Sequence, residues 1–287
     1  MAGCVGGAIW STLFRCAARS VDLHSARQPK IFDCVSRPRV SEADFFWNSD
    51  KKIPLADYLP RLATTIFQTQ LGSQKDKTDR VGALSAVIAK SIGADTEITA
   101  QAASLYKSDL LSNMVQEFPE LQGTMGRYYA LEQGLDARTA HALEQVYWPK
   151  FAGDRLPESK EAQALAIAER LDTIVGIFAI GQIPTGSRDP YSLRRAALGI
   201  LRISIEKEID LDLEDLINVA FMNLPQALQK GDVKDKVLNY ILERMKAYTA
   251  ELGIAHDTFE SISALDLNNP LDILRRLRAI TAFRTTD

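Results

Sequence analysis

From Ala43 onward, apolar residues recur at spacings of three and four, and alternating or β-branched runs are scarce. That period predicts an all-α protein. Helices are expected over 41–48, 54–70, 76–92, 95–105, 106–116, 120–131, 136–147, 159–180, 190–207, 212–224, 233–252, 256–264 and 270–282. Pro54, Gly72, Gly93, Pro119, Gly134, Pro149, Gly153, Pro157 and Gly181 break or cap their neighbours. The most apolar stretch, Ile174 to Ile180 with its flanks, contains Gly176 and stops at Gly181-Gln182. It is too short to span a bilayer and reads as a buried helix. A glycine inside a helix is costly unless a neighbour needs the space. Gly176 is therefore expected at a tight crossing, with the 190–207 helix as the candidate partner.

Residues 178–202 combine this pattern with chemistry. A loop punctuated by Gly181, Pro184, Gly186 and Pro190 leads into a helix expected to begin near Pro190, with Asp189 as its cap. Leu193, Ala196, Ala197, Ile200, Leu201 and Ser204 form the inward stripe. Arg194, Arg195 and Arg202 are left on or beside the other face, with Arg188 just ahead. Guanidinium groups so placed can hold phosphate, although a solvated helix edge has the same pattern. A second basic segment, Arg275, Arg276 and Arg278, lies near the end of the chain.

Composition narrows the choices. The chain has 287 residues, 46 % hydrophobic and 25 % charged, and a net charge of −3, so an RNA contact must be local rather than a basic coat. Residues 1–40 carry six Lys/Arg and two Asp/Glu, unlike the acidic remainder, and hold all three cysteines, Cys4, Cys16 and Cys34. This usage suits a reducing cytosol and predicts neither zinc nor a disulfide framework. Residues 1–39 read as an atypical, disordered leader, with an organelle transit segment or a misjoined reading frame as alternative origins. No Gly-x-Ser-x-Gly elbow and no phosphate-binding Gly-Lys-Ser/Thr loop occurs. The residues therefore assign no catalytic, metal or cofactor site to this chain.

Three motifs agree in order and spacing with one family. Phe118-Pro-Glu-Leu-Gln-Gly-Thr-Met-Gly-Arg-Tyr-Tyr129, Phe151-Ala-Gly-Asp154 and the 178–202 stretch resemble the β subunit of the bacterial two-subunit glycyl-tRNA synthetase. Arg37-Pro38-Arg39, Asp44-Phe-Phe-Trp47 and Ala282-Phe-Arg-Thr285 extend the likeness from about Val40 to Asp287. The resemblance implies a degenerate HD-like helical domain over 40–185, followed by a truncated C-terminal helical domain over 186–287. It also implies a non-catalytic partner in a heterotetrameric glycine-tRNA ligase of the cytoplasm. Such a partner supports tRNA(Gly) while the α subunit, with ATP and Mg, makes and transfers the activated glycine.

Helix order between Asp76 and Asp172 resembles that of HD metal-dependent phosphohydrolases, but the ligand set is broken. Lys77 stands near the first His, Ser108-Asp109 replaces the His-Asp pair, and Glu169 or Asp172 is left as the last acid. His24, His141 and His256 fall outside the pattern, so no metal is expected. Glu169, Arg170 and Asp172 then read as helix-surface charges or a structural pair. Within 118–129 the aromatics and glycines read as core packing, with Gln122, Arg127 and Tyr128 as a weaker candidate surface for RNA or partner. An active HD-type phosphohydrolase and a helical docking fragment without RNA affinity are the rival functions.

Overall fold

The computed structural model describes residues 41–185, 188–263, 265 and 267–284. The expected leader and Gly186-Ser187, where the two expected domains meet, lie outside the described residues. The all-α expectation holds apart from a tiny hairpin. The first helix, α1, covers residues 41–50. There follow α2 (Leu59–Leu62), β1 (Ile66–Gln68), β2 (Gly72–Ser73), α3 (Gln74–Ile92), α4 (Thr96–Leu105), α5 (Asn113–Glu117), α6 (Thr124–Glu132) and α7 (Ala137–Gln145). Then come α8 (Lys160–Ala179), α9 (Leu193–Glu206), α10 (Leu213–Met222), α11 (Val233–Glu251), α12 (His256–Ser263) and α13 (Pro270–Arg284). Among the described residues no helix is long and apolar enough to cross a membrane.

Helix α8 is the axis of the molecule. Ala164, Leu165, Ala166, Ile167, Ala168, Leu171, Ile174, Val175 and Ile177 are all fully buried, so the helix is apolar nearly all round. It packs against α3, α4 and α7 and against α9, α10 and α11. One continuous apolar core results, running from Ala43 to Leu277. Ser159 starts the helix by accepting a hydrogen bond from the amide of Ala162.

Three expectations are corrected. Residues 54–70 do not form one helix: a short 3-10 turn (Leu55–Tyr58) and α2 give way to the hairpin. The run Thr64-Thr65-Ile66 is β-branched, and both threonine hydroxyls bond back to Arg61 O, a geometry that ends the helix. The span 106–116 is split at Ser112, whose hydroxyl caps α5. Helix α9 begins at Leu193 rather than Pro190, because Ser192 takes a left-handed φ of 55°. Asp189 still supplies the cap, accepting from the amides of Leu193 (2.8 Å) and Arg194 (3.0 Å) across that bend.

Gly176 does mark a close approach, but to Leu71 of the hairpin and Leu224 after α10, not to α9. The tight contact between α8 and α9 lies elsewhere, where Gly199 of α9 faces Arg170 of α8.

Candidate functional site

A cleft of about 440 Å³ opens where the hairpin, α8 and the start of α9 meet. Four cationic side chains line it, Lys107, Lys150, Arg170 and Arg195, against one carboxylate, Glu169. In a chain of net charge −3 this is a local excess of positive charge. Phe67, Tyr147 and Tyr191 add aromatic surface, and Gln122 and Thr173 add polar groups.

Each cation is positioned by its own element. Arg170 is only 7 % exposed and donates to the carbonyls of Val146 (3.0 Å), Ala166 (2.8 Å) and Pro149 (3.3 Å). Among the described residues no carboxylate lies within ion-pair distance of it, so its hydrogen bonds go to backbone carbonyls. Burial accordingly pushes the Arg170 guanidinium below its ordinary value, and nearby Glu169 partly offsets this. Arg195 is exposed at the rim, where it donates to Lys150 O (3.2 Å) and Ser192 Oγ (2.9 Å). Lys150 is held by the turn that follows it, since Asp154 Oδ2 accepts from the Lys150 amide (2.7 Å). Lys107 is buried, with its ammonium over the rings of Tyr106 and Tyr147 and 3.7 Å from Glu169 Oε1. Burial lowers its proton affinity, and the Glu169 carboxylate opposes that fall.

Behind the cleft the remnants of the HD-like pattern form a buried ion network. The Lys77 ammonium lies 3.1 Å from Asp172 Oδ2, 2.6 Å from Thr173 Oγ1 and 3.7 Å from Glu169 Oε1. Arg80 Nε donates to Asp172 Oδ1 at 2.8 Å and its Nη1 to Leu71 O at 3.0 Å. Burial alone would raise the Glu169 carboxyl, but Lys77 and Lys107 outweigh it and hold the group at about 2. Glu169, Arg170 and Asp172 are thus not solvated helix charges; Asp172 is 2 % exposed and Arg170 7 %.

This donor set does not fit a metal. The place expected for a first His carries an ammonium already paired with the last acid, and a second ammonium flanks Glu169. A divalent ion would meet two fixed positive charges where it needs lone pairs. Among the described residues no group of three His, Cys, Asp or Glu side chains could hold one.

Ser108 and Asp109 are buried and serve packing. Asp109 Oδ2 accepts from the amides of Gly123 (2.5 Å) and Gly126 (3.1 Å), whereas its Oδ1 and Ser108 Oγ are buried without a partner among the described residues. Burial raises the Asp109 carboxyl to about 6 despite those two amides.

The motif glycines follow from the same geometry. A Cβ on Gly123, whose φ is 79°, would lie 2.5 Å from Cδ2 of Tyr147, a wall of the cleft. A Cβ on Gly126 would meet the Asp109 carboxylate at 3.3 Å. Of the expected polar surface in this motif, Gln122 lines the cleft, but Tyr128 is buried and Arg127 pairs with Glu144 at 2.7 Å. Those two residues are therefore not an outward surface.

The arginines picked out in the sequence separate. Arg195 lines the cleft; Arg188 is exposed beside the Thr185 bridge. Arg194, half-buried, acts electrostatically on Tyr240 of α11 instead. Arg202 pairs with Glu206 at 2.7 Å and donates to Asp154 O, so it braces the Lys150 turn. Arg275, Arg276 and Arg278 are exposed on α13; Arg276 pairs with Asp272 at 2.8 Å, and none of the three lines the cleft. Lys107, Lys150 and Tyr191 were not legible as site residues.

Comparison with known proteins agrees with the motifs. The family model described as glycyl-tRNA synthetase beta subunit matches residues 30–264. The chain is 47 % identical over 253 residues to the glycine-tRNA ligase beta subunit of Haemophilus influenzae, covering 88 % of this chain and 37 % of that protein. The corresponding proteins of Alteromonas mediterranea and Proteus mirabilis are each 46 % identical over the same shares. This chain thus spans little more than a third of the curated relatives it matches, and within that span it belongs to the glycyl-tRNA synthetase beta subunit family.

Proposed function

We propose that this chain supplies a tRNA-holding helical part of a glycine-tRNA ligase β subunit, acting in the cytoplasm. Its partner in that proposal is the α subunit, which with ATP and Mg joins glycine to tRNA(Gly). The observation that carries the RNA part is the cleft's four cations against one carboxylate, with Arg195 exposed at its rim. Phosphate contacts of this kind position a nucleic acid without reading its sequence. They also match a protein whose overall charge is negative, since the attraction is confined to one mouth.

The family likeness supports the same role, because the relatives bear the name of a tRNA ligase subunit. Filter binding of tRNA(Gly) across a salt series tests it. Arg195→Ala should weaken binding and reduce the salt slope by about one phosphate contact. Unchanged affinity and slope would remove Arg195 and its cleft from the interface. A chain that captures the α subunit but no tRNA would be a docking fragment instead.

A further inference from the structure

Resting on the RNA-binding reading above, we infer that the cleft takes one unpaired nucleotide of the RNA, its phosphate at the rim and its base inside. Size is the first argument. A volume of about 440 Å³ suits one small group, whereas a duplex offers its phosphates across a broad surface.

The distribution of charge is the second argument. Only Lys150 and Arg195 are exposed, and they adjoin each other, since Arg195 Nη1 donates to Lys150 O. That donation and the one to Ser192 leave further guanidinium N–H groups for a phosphate at the mouth. Lys107 and Arg170 are buried in the floor, so the interior favours the acceptor-rich edge of a base over an apolar side chain.

The walls give the third. Tyr191 stands one residue before the left-handed Ser192 and four before Arg195, so the same bend presents an aromatic ring and a cation to one opening. Phe67 of the hairpin lines the same cleft, and Gln122 contributes an amide that can both donate and accept. An aromatic surface beside a phosphate-binding cation is how proteins hold splayed, single-stranded nucleotides.

The test uses the intact chain and four ligands: tRNA(Gly), a single-stranded RNA pentamer, a blunt RNA duplex and free AMP. The inference expects the pentamer to compete with tRNA and the duplex to compete poorly. Tyr191→Ala should weaken pentamer binding roughly 5- to 140-fold, the range of a lost stacking contact. Tyr191→Phe should restore it, and neither variant should alter the salt slope, which Arg195→Ala should lower. Circular dichroism melts confirm that both variants fold. Retained tRNA binding with Tyr191→Ala unchanged, or with duplex and pentamer equal, overturns this inference and leaves the RNA-binding reading standing. Tight AMP binding without pentamer binding overturns the RNA source and assigns the cleft to a free nucleotide. Loss of all RNA binding by the parent chain overturns both readings.

Discussion

Gly199 and Arg170 fit together so closely that a Cβ on residue 199 would lie 2.6 Å from the Arg170 Nε and 3.0 Å from its Cδ. The guanidinium is fixed on its other side by three backbone carbonyls, so it cannot simply swing away. Helix α9 thus gives up a side chain to seat a buried charge at the floor of the cleft.

Gly199→Ala should therefore destabilise the fold although alanine is the better helix former. The propensity gain is about 1 kcal/mol. Forcing the guanidinium off its carbonyls costs roughly 1–3 kcal/mol as overpacking and lost hydrogen bonds. A net loss of up to about 2 kcal/mol is expected in urea denaturation. With Arg170→Ala present the same substitution should turn neutral or stabilising, which a double-mutant cycle reads directly. Additive effects would separate the two residues.

Asp172 is the second pivot. It is the acid shared by Lys77 and Arg80, and all three side chains are almost wholly buried. Asp172→Ala leaves two buried cations without that partner and should cost about 3–5 kcal/mol. Lys75→Ala, which breaks an exposed pair with Asp79, should cost less than about 1 kcal/mol. Thermal melts of the two variants side by side check the contrast, and equal losses would contradict the buried network.

Stability should also fall as pH rises from about 4 to 6. Asp109 has its folded-state carboxyl raised from 3.8 to about 6, so in that window the native state holds a proton that the unfolded chain has released. The favourable contribution is complete below the unfolded value and lost as pH passes the folded one, a loss on the order of 3 kcal/mol. Glu169 has the opposite sign: held at about 2 by Lys77 and Lys107, it stabilises above its unfolded value and loses that as pH falls below about 4.5. Denaturation of Asp109→Asn between pH 4 and 7 isolates the first effect. The variant should lose the decline while Glu169 keeps the acid limb.

Much of this was legible in the sequence, for identifiable reasons. Helix α8 could be placed because a long apolar run with a Ser cap has few other solutions, and the stripe on α9 followed the 3.6 period. The hairpin at Ile66–Ser73 was missed because it spans too few residues to establish an alternating pattern. The cleft itself was half legible. Arg195, Gln122 and Tyr191 stand within motifs, though nothing local marks Tyr191 as facing a site, whereas Lys107 and Lys150 meet them only through the packing of α8 and the turn after Lys150. Arg170 could not be read as buried, because no local pattern distinguishes a charged residue facing backbone carbonyls from one facing water.

Geometry also divides the arginines that the sequence had grouped. Arg202 spends its guanidinium on Glu206 and on the Asp154 carbonyl, and so supports the turn bearing Lys150 rather than a ligand. Arg276 is paired within its own helix. Arg202→Ala should cost about 0.5–1.5 kcal/mol of stability through the lost hydrogen bonds, with a small change in the salt slope of RNA binding. Arg276→Ala should cost no more than about 0.5 kcal/mol, as for other exposed pairs one helical turn apart, and leave affinity near the parent value. Arg195→Ala should do the reverse, weakening binding and lowering the slope while the melting temperature barely moves. A salt titration and a melt on each variant give two numbers per residue, and the division stands only if Arg195 and Arg202 fall on opposite axes. If all three variants lower the slope equally, the basic residues act as a diffuse field and the cleft has no special part in it.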